Sequence, residues 1–592
     1  MSRKTFPGLL ALSLTLSLLL GFMGGTNSIF ARSLNKPVSV ETLPATAQQT
    51  PTHPVSGRQL NLYTLPQENT GAATASSPVA PFLTGRSTGT FTRAKKAAAQ
   101  NESAPRGQTS TNSAGQAGGE IRGFEGMADS AQICPFFGQA GCSPPDMALA
   151  ASPDFILQGV NTSFTLYDPS AQKVRGPFNA QTFFGIPNPS PAGCAPNGPF
   201  TGDPRAFYDP GDGYFWVAIE EFESSFGLNA DCQLLSRYWI ANLNARTGAM
   251  CVYGFDMALG SENIADYTEF GFNKSTIAFS GDMFVASNAG PEPDTPLPIP
   301  GFAYAESQFV NKYAMEQCQT VTPTAFTHYQ VGKVLVDTVQ PVETETPPVG
   351  GPEVEYLVNS FNINGDPFGH DCLVSACQGW AIWAFNPATR SLTGTAVLPP
   401  TPNRSYVSAP DADQPGCSQC VETFDTRITG TPVYSGGGRT GVISFAINTA
   451  INNGGMDAPH VVPGILWGQI QVEVSRKSVS ARLAQSGYLF FPGDQAASFG
   501  ALMQDQTGRL VMVFDTMSAH LNPSILVVSR RPFDPPGRFG PARFIRKGPA
   551  PTSQSRWGDF EAASYDGFGT NQIWVASQYA SASSGHWATF IA

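Results

Sequence analysis

The chain has 592 residues, among them 60 glycines and 50 prolines, and Asp, Glu, Lys and Arg together make up only 13 % of it. A charge fraction near half the ~25 % usual for soluble domains excludes a charged coiled coil and argues against a helix-dominated chain. With 34 basic against 45 acidic residues and a net charge of −11, the sequence carries no basic footprint for nucleic acid.

Arg3 and Lys4 precede an apolar run from Leu9 to Leu20, the charge pattern and length of a signal peptide. Residues 1–31 are read as this export signal, with an uncleaved anchor as the alternative, and the sequence shows no second hydrophobic span. From 32 to 119, Ser, Thr, Ala, Pro, Gln and Gly dominate without apolar periodicity, so this stretch is read as a disordered spacer.

From 120 to 592, short runs rich in aromatic and β-branched residues alternate with Gly, Pro, Asp and Asn turns, which predicts an all-β domain. Several runs share an order: a small-residue strand, a turn, then an apolar strand. Gly202 to Phe222, Gly500 to Ser518 and Gly558 to Ala580 are the clearest copies, and Pro145 to Asn161, Glu269 to Asn288 and Thr431 to Asn448 are weaker ones. Their turns, at Asp154, Asp209, Lys274, Ser435, Asp505 and Asp566, lie roughly 55 to 70 residues apart except for one interval of about 160, which conceals a further unit. The spacing predicts a single β-propeller of seven blades, with six or eight as alternatives. An early strand near 121–127 is expected to complete the last blade and close the ring. The competing architecture is two β-sandwiches in series.

All ten cysteines fall between Cys134 and Cys420, and an even number in an exported chain implies disulfides. The pairs Cys372/Cys377 and Cys417/Cys420 are expected to bridge crosswise, because a bridge within Cys417–Cys420 closes a very short loop; the alternative is a four-cysteine zinc site. Asn362 to Asp366, followed by Asp371, resembles part of a calcium loop but lacks the terminal Glu, and a turn held by Asn and Gly is the competing reading. The six histidines form no zincin motif, and neither a nucleophile elbow nor a phosphate-binding loop is present. No metal or other cofactor is therefore assigned, calcium excepted as a possibility at that loop.

The motifs PPD (Pro144 to Asp146), GDPRAFYD (Gly202 to Asp209), ADYTEFG (Ala265 to Gly271), CSQCVETFDTRI (Cys417 to Ile428), SRWGDF (Ser555 to Phe560) and HWATFI (His586 to Ile591) occur in a set order. Together they resemble the landmarks of a family of secreted bacterial β-propeller proteins, sialidase-like in fold and largely without assigned activity. The resemblance implies a fold and an exported address, and no reaction. Just before the inner strands of such a ring stand Asp146, Asp203, Arg205, Asp266, Arg427, Arg556 and Asp559. Arg205, Arg427 and Arg556 are candidates for holding a substrate carboxylate, as a sialidase requires. The competing role is structural, with carboxylates tying neighbouring blades through backbone N–H groups and Arg556 pairing with Asp559. The leading expectation is a secreted binding module presenting blade loops to a glycan, a polymer or an extracellular protein. The alternative is a sialidase-like glycoside hydrolase, for which no Tyr/Glu nucleophile pair is nominated.

Overall fold

The computed structural model describes residues 44–66, 95, 97–98, 104–106, 121–130, 132–134, 142–187, 200–223, 235–285, 302–344, 354–361, 372, 376–399, 404–437, 439–454, 460–475, 478–554, 556–567, 569–582 and 585–592. The expected export signal and the calcium-like segment Asn362 to Asp366 lie outside these residues. Among the described residues, no helix is long and apolar enough to cross a membrane.

Successive antiparallel sheets, each built largely from consecutive strands, give the organisation of a β-propeller. The first sheet comprises Ala148–Ala151, Ile156–Val160, Ser163–Tyr167 and Lys173–Asn179. The second comprises Phe200–Asp209, Tyr214–Glu223, Leu235–Leu243 and Ala249–Asp256. The third comprises Asn263–Phe272, Thr276–Val285, Phe302–Asn311 and Thr324–Val331. In the long interval that the sequence left unassigned lie Gln340–Pro341, Glu355–Ser360, Trp380–Asn386 and Ser391–Val397, paired in that order. The next sheets are Ile428–Gly437, Thr440–Asn452, Val461–Val474 and Val479–Leu489, followed by Ala496–Gln504, Leu510–Ser518, Leu521–Arg530 and Arg543–Arg546. Ala562–Tyr565, Ile573–Ala580 and Trp587–Ile591 form the last, and Phe124–Ala128, where an early strand was expected, pairs with Trp587–Ile591.

The first strand of each sheet lies beside the first strand of the next, and Ala562–Tyr565 lies beside Ala148–Ala151. Because both faces of a sheet are covered by its neighbours, the second strands read as continuous buried runs rather than as alternating ones: Ile156–Val160 is buried throughout and Thr276–Val285 nearly so. The hairpin turns are held by Asx side chains, whose short carbonyl mimics a backbone acceptor. Asp505 Oδ1 accepts from the amides of Thr507 (2.9 Å) and Arg509 (3.0 Å), and Asp209 Oδ1 from Gly211 (2.7 Å). Ser435, expected in a turn, instead lies inside Ile428–Gly437 just before its hairpin.

At or just before each first strand, one residue with a side chain adopts a left-handed backbone: Asp146 (φ 43), Asp203 (49), Tyr267 (56), Thr338 (46), Phe424 (58), Phe499 (57) and Asp559 (69). Such a conformation costs on the order of 1–2 kcal/mol for a non-glycine residue, so something must hold it. Part of the answer is a side chain from the second strand of the preceding sheet, or from the residue just after it. Asn161 Oδ1 accepts the Asp203 amide (3.0 Å), Asp282 Oδ1 the Thr338 amide (2.7 Å) and Asn448 Oδ1 the Phe499 amide (2.7 Å). Asp515 instead accepts from the Trp557 indole at 2.7 Å.

Two expectations are corrected. Within the supposed spacer, Pro44–Thr50 is a strand that pairs with Thr324–Val331 on one side and Ser391–Val397 on the other, and Arg58–Asn61 extends the second sheet beyond Ala249–Asp256. Its partly exposed pattern explains the misreading: backbone pairing on outer edges, not burial of an apolar face, makes this strand. Lys95, also in the supposed spacer, is buried and donates to the carbonyl of Ala409 and the hydroxyl of Thr423, both at 2.9 Å. The expected crossed bridges, and the zinc alternative, give way to Cys372–Cys377 and Cys417–Cys420, alongside Cys134–Cys142 and Cys251–Cys318. Cys377 and Cys417 belong to separate two-stranded sheets, and Gln419 (φ 48) turns the chain so that the Cα atoms of Cys417 and Cys420 stand 6.1 Å apart, within bridging reach. Cys194 and Cys232 lie outside the described residues.

Candidate functional site

The left-handed residues bring the charged side chains that precede the first strands to one end of the sheets. Asp203 and Asp266 lie at bulges in their strands, where the register shifts between Gly202 and Arg205 and between Asp266 and Glu269. Both remain partly accessible. Glu220, on Tyr214–Glu223, comes up beside them, and the three carboxylates each place an oxygen within 4.8 Å of the others. Asp146 is buried next to this group, with Oδ2 accepting from Asn161 Nδ2 at 2.5 Å; Asn161 thus links Asp146 to the Asp203 amide.

Crowding like charges in a poorly solvated place favours protonated carboxyls. Burial, then the carboxylates of Asp266 and Asp559, pushes Asp203 up to about 8 against the opposing pull of Arg205 and Arg556. Burial lifts Asp266 to about 6, held back by the Tyr267 amide and Arg427. Glu220 is raised well above its ordinary value by burial and by Asp203 and Asp266, and Asp146 by burial, Asp559 and Asp203.

Each of the three arginines is engaged by protein carboxylates. Arg205, 3 % exposed, pairs through Nη2 with Glu269 Oε1 at 2.6 Å and lies over the Phe560 ring, its Cζ 3.5 Å from the centroid. Arg427, 6 % exposed, binds Asp425 through Nε (2.9 Å to Oδ2) and Nη2 (2.8 Å) and lies over the Tyr267 ring at 4.3 Å. Arg556 pairs with Asp559 and stands 3.5 Å from Glu422, and its side chain keeps 22 % exposure. The rings of Tyr267 and Phe560, 4.7 Å apart, join these environments. A cavity between the first strands is lined in part by Arg205, Glu343, Glu561, Ala148, Ala501 and Ala563.

The sequence-nominated residues are thus held at one end, Asp146, Asp203 and Asp266 within an acidic group and the arginines in separate ion pairs. Glu220 and Asn161 were not nominated. The signal for Glu220 is a charged pair, Glu220–Glu221, closing an otherwise apolar strand, whereas Asn161, at the end of the unit Pro145 to Asn161, carries no local signal.

No protein family and no curated protein matches the sequence. Among solved structures, the chain is similar to an ulvan lyase of a polysaccharide lyase family, with TM-score 0.35 and 10 % identity over 79 % of this chain and 95 % of that one. It is also similar to a Hadza microbial sialidase (TM-score 0.32, 9 % identity, 76 % and 74 % covered) and to the WD40 domain of SCAP from fission yeast (TM-score 0.28, 8 % identity, 76 % and 95 % covered).

Proposed function

We propose that the chain is an exported seven-bladed β-propeller that acts as a binding module, its ligand docking at the acidic end where the first strands begin. Seven blades and a closed ring are supported by the succession of sheets, by the contact of Ala562–Tyr565 with Ala148–Ala151 and by the pairing of Phe124–Ala128 with Trp587–Ile591. Two hydrogen bonds add to this: the Met147 amide donates to the Phe560 carbonyl (3.1 Å) and the Ala151 amide donates to Ser564 Oγ (3.0 Å). Export is supported by the bridged cysteines and by the amino-terminal apolar run.

The observation that carries the binding reading is that Arg205 and Arg427 are buried in ion pairs of their own. A sialidase would need them to hold a substrate carboxylate, and releasing a buried pair to do so costs several kcal/mol. With Asp203 and Asp266 accessible among further carboxylates, the docking end favours hydroxyl-bearing or cationic groups over anionic ones. The ligand class proposed is therefore a neutral, polyhydroxylated glycan, with Arg556 and Asp203 as contact residues. The test is an array of neutral, sulfated and sialylated glycans, run with fluorogenic glycosides. Binding of neutral glycans without turnover is expected, weakened at least 10-fold by Arg556→Ala in a protein whose melting temperature stays close to that of wild type. Turnover that disappears in this variant would overturn the reading in favour of a hydrolase.

A further inference from the structure

We propose that Asp203, Glu220 and Asp266 form a binding site for a hard divalent cation, calcium by preference, at the acidic end of the molecule. The three oxygens fit one coordination sphere: ligands on opposite sides of a calcium ion, each about 2.3–2.6 Å from it, stand roughly 4.6–5.2 Å apart, and these lie within 4.8 Å of one another. The donor set is oxygen alone, without His or Cys, which suits calcium or magnesium and not zinc or copper. Ligands that come from two bulged strands and one regular strand give an irregular arrangement, which calcium tolerates better than magnesium does.

The second observation is Glu220 itself. Its side chain is 3 % exposed, one of its oxygens belongs to the cluster, and Oε2 has no hydrogen-bond partner. Nearby, Asp146 Oδ1 is likewise buried without a partner while Oδ2 is held by Asn161. The Thr268 hydroxyl beside Glu220 eases this in part, but a buried carboxylate oxygen short of donors carries a cost for losing water, about 1–3 kcal/mol and more when charged. The neighbouring arginines relieve it only in part, since each is bound to a carboxylate of its own: Arg205 to Glu269, Arg427 to Asp425, and Arg556 to Asp559 and Glu422. A cation among the three oxygens supplies the missing positive charge where the structure lacks it.

The inference concerns the same end of the molecule as the proposed glycan site, and rests on that reading only in placing the ion where a hydroxyl-bearing ligand would meet it. The experiment uses the exported chain dialysed against EDTA, then compared with and without millimolar CaCl2, and titrated with Tb3+ while Trp and Tyr are excited. Calcium is expected to raise the melting temperature by roughly 3–5 °C, with sensitised terbium emission that calcium displaces. In Glu220→Gln both responses are expected to vanish, while the EDTA-treated variant melts at or above the EDTA-treated wild type because a buried carboxylate has been replaced by an amide. Asp266→Asn, a change at a partly accessible residue, is expected to abolish the responses as well. Identical melting in EDTA and calcium with no terbium emission overturns the proposal, as does a full calcium response in both variants, which places the ion elsewhere. Loss of glycan binding with the metal responses intact counts against the ligand reading alone.

Discussion

A left-handed backbone at a bulky residue persists only where its surroundings hold it, and Asn448 shows how this is done. Its Oδ1 accepts the Phe499 amide at 2.7 Å and its Nδ2 donates to the Thr423 carbonyl at 3.1 Å, so one buried side chain joins two segments besides its own strand. Asn448→Ala leaves both groups buried without these partners, and a loss of about 2–4 kcal/mol is expected, read as a lower urea midpoint at unchanged m-value. The neighbouring tie is acidic. Burial lifts Asp515 to about 7, although Ser577, Gln578 and Trp557 donate to it, and burial together with the Asp515 charge holds Glu561 well above the usual range. The folded chain therefore keeps protons that the unfolded chain releases near pH 4, so their contribution to stability is complete below that pH and is lost as pH rises through about 7 for Asp515. Each retained proton contributes a slope of up to about 1.4 kcal/mol per pH unit. Denaturant midpoints in EDTA are expected to fall between pH 5 and 7.5, and Glu561→Gln to flatten that fall; a flat wild-type profile would contradict the assignment. Sequence made the acidic residues before the first strands visible, because each stands in a short motif with Gly, Pro or an aromatic residue. It did not reveal Asn448, Asp515 or Glu220, whose partners lie on another sheet and leave no local pattern.

Among the elements, several hairpins were legible because their turns use local chemistry, as the Asp209 and Asp505 amide contacts show. The unit containing Gln340–Pro341 was predicted only as a gap, since its first strand is two residues long and a short strand gives no periodicity. Pro44–Thr50 was misread for the opposite reason: seven residues suffice for a strand, but no apolar face marks it. Its side chains nevertheless reach the packing beneath, Ala45 and Ala47 against a core that includes Phe326 and Trp383, and Thr50 shares a hydroxyl contact with Thr327 at 3.0 Å. Removal of residues 44–66 is expected to lower the melting temperature by several degrees and to increase aggregation, because it uncovers the edges of Thr324–Val331 and Ala249–Asp256. Unchanged melting and solubility would show that these pairings add nothing.

For the molecule as a whole, the described residues from Pro44 to Ala592 fall within one compact unit. The spacing was readable because six of the sheets repeat the same order of small strand, turn and apolar strand. The disulfides were not readable, since their pairing depends on which small sheet each cysteine joins. The pairings of Pro44–Thr50 and Phe124–Ala128 also impose an order in time. Pro44–Thr50 leaves the ribosome before either of its partner strands exists, and at about 10–20 residues per second it waits on the order of half a minute until Val397 has been made. Phe124–Ala128 waits longer still, for Trp587–Ile591. During that interval both segments are unpaired strands that match the sheet edges of any other copy of the chain. Exchange of these strands between nascent molecules is thus the assembly error to which this topology is most exposed, and its frequency rises with the concentration of chains under synthesis.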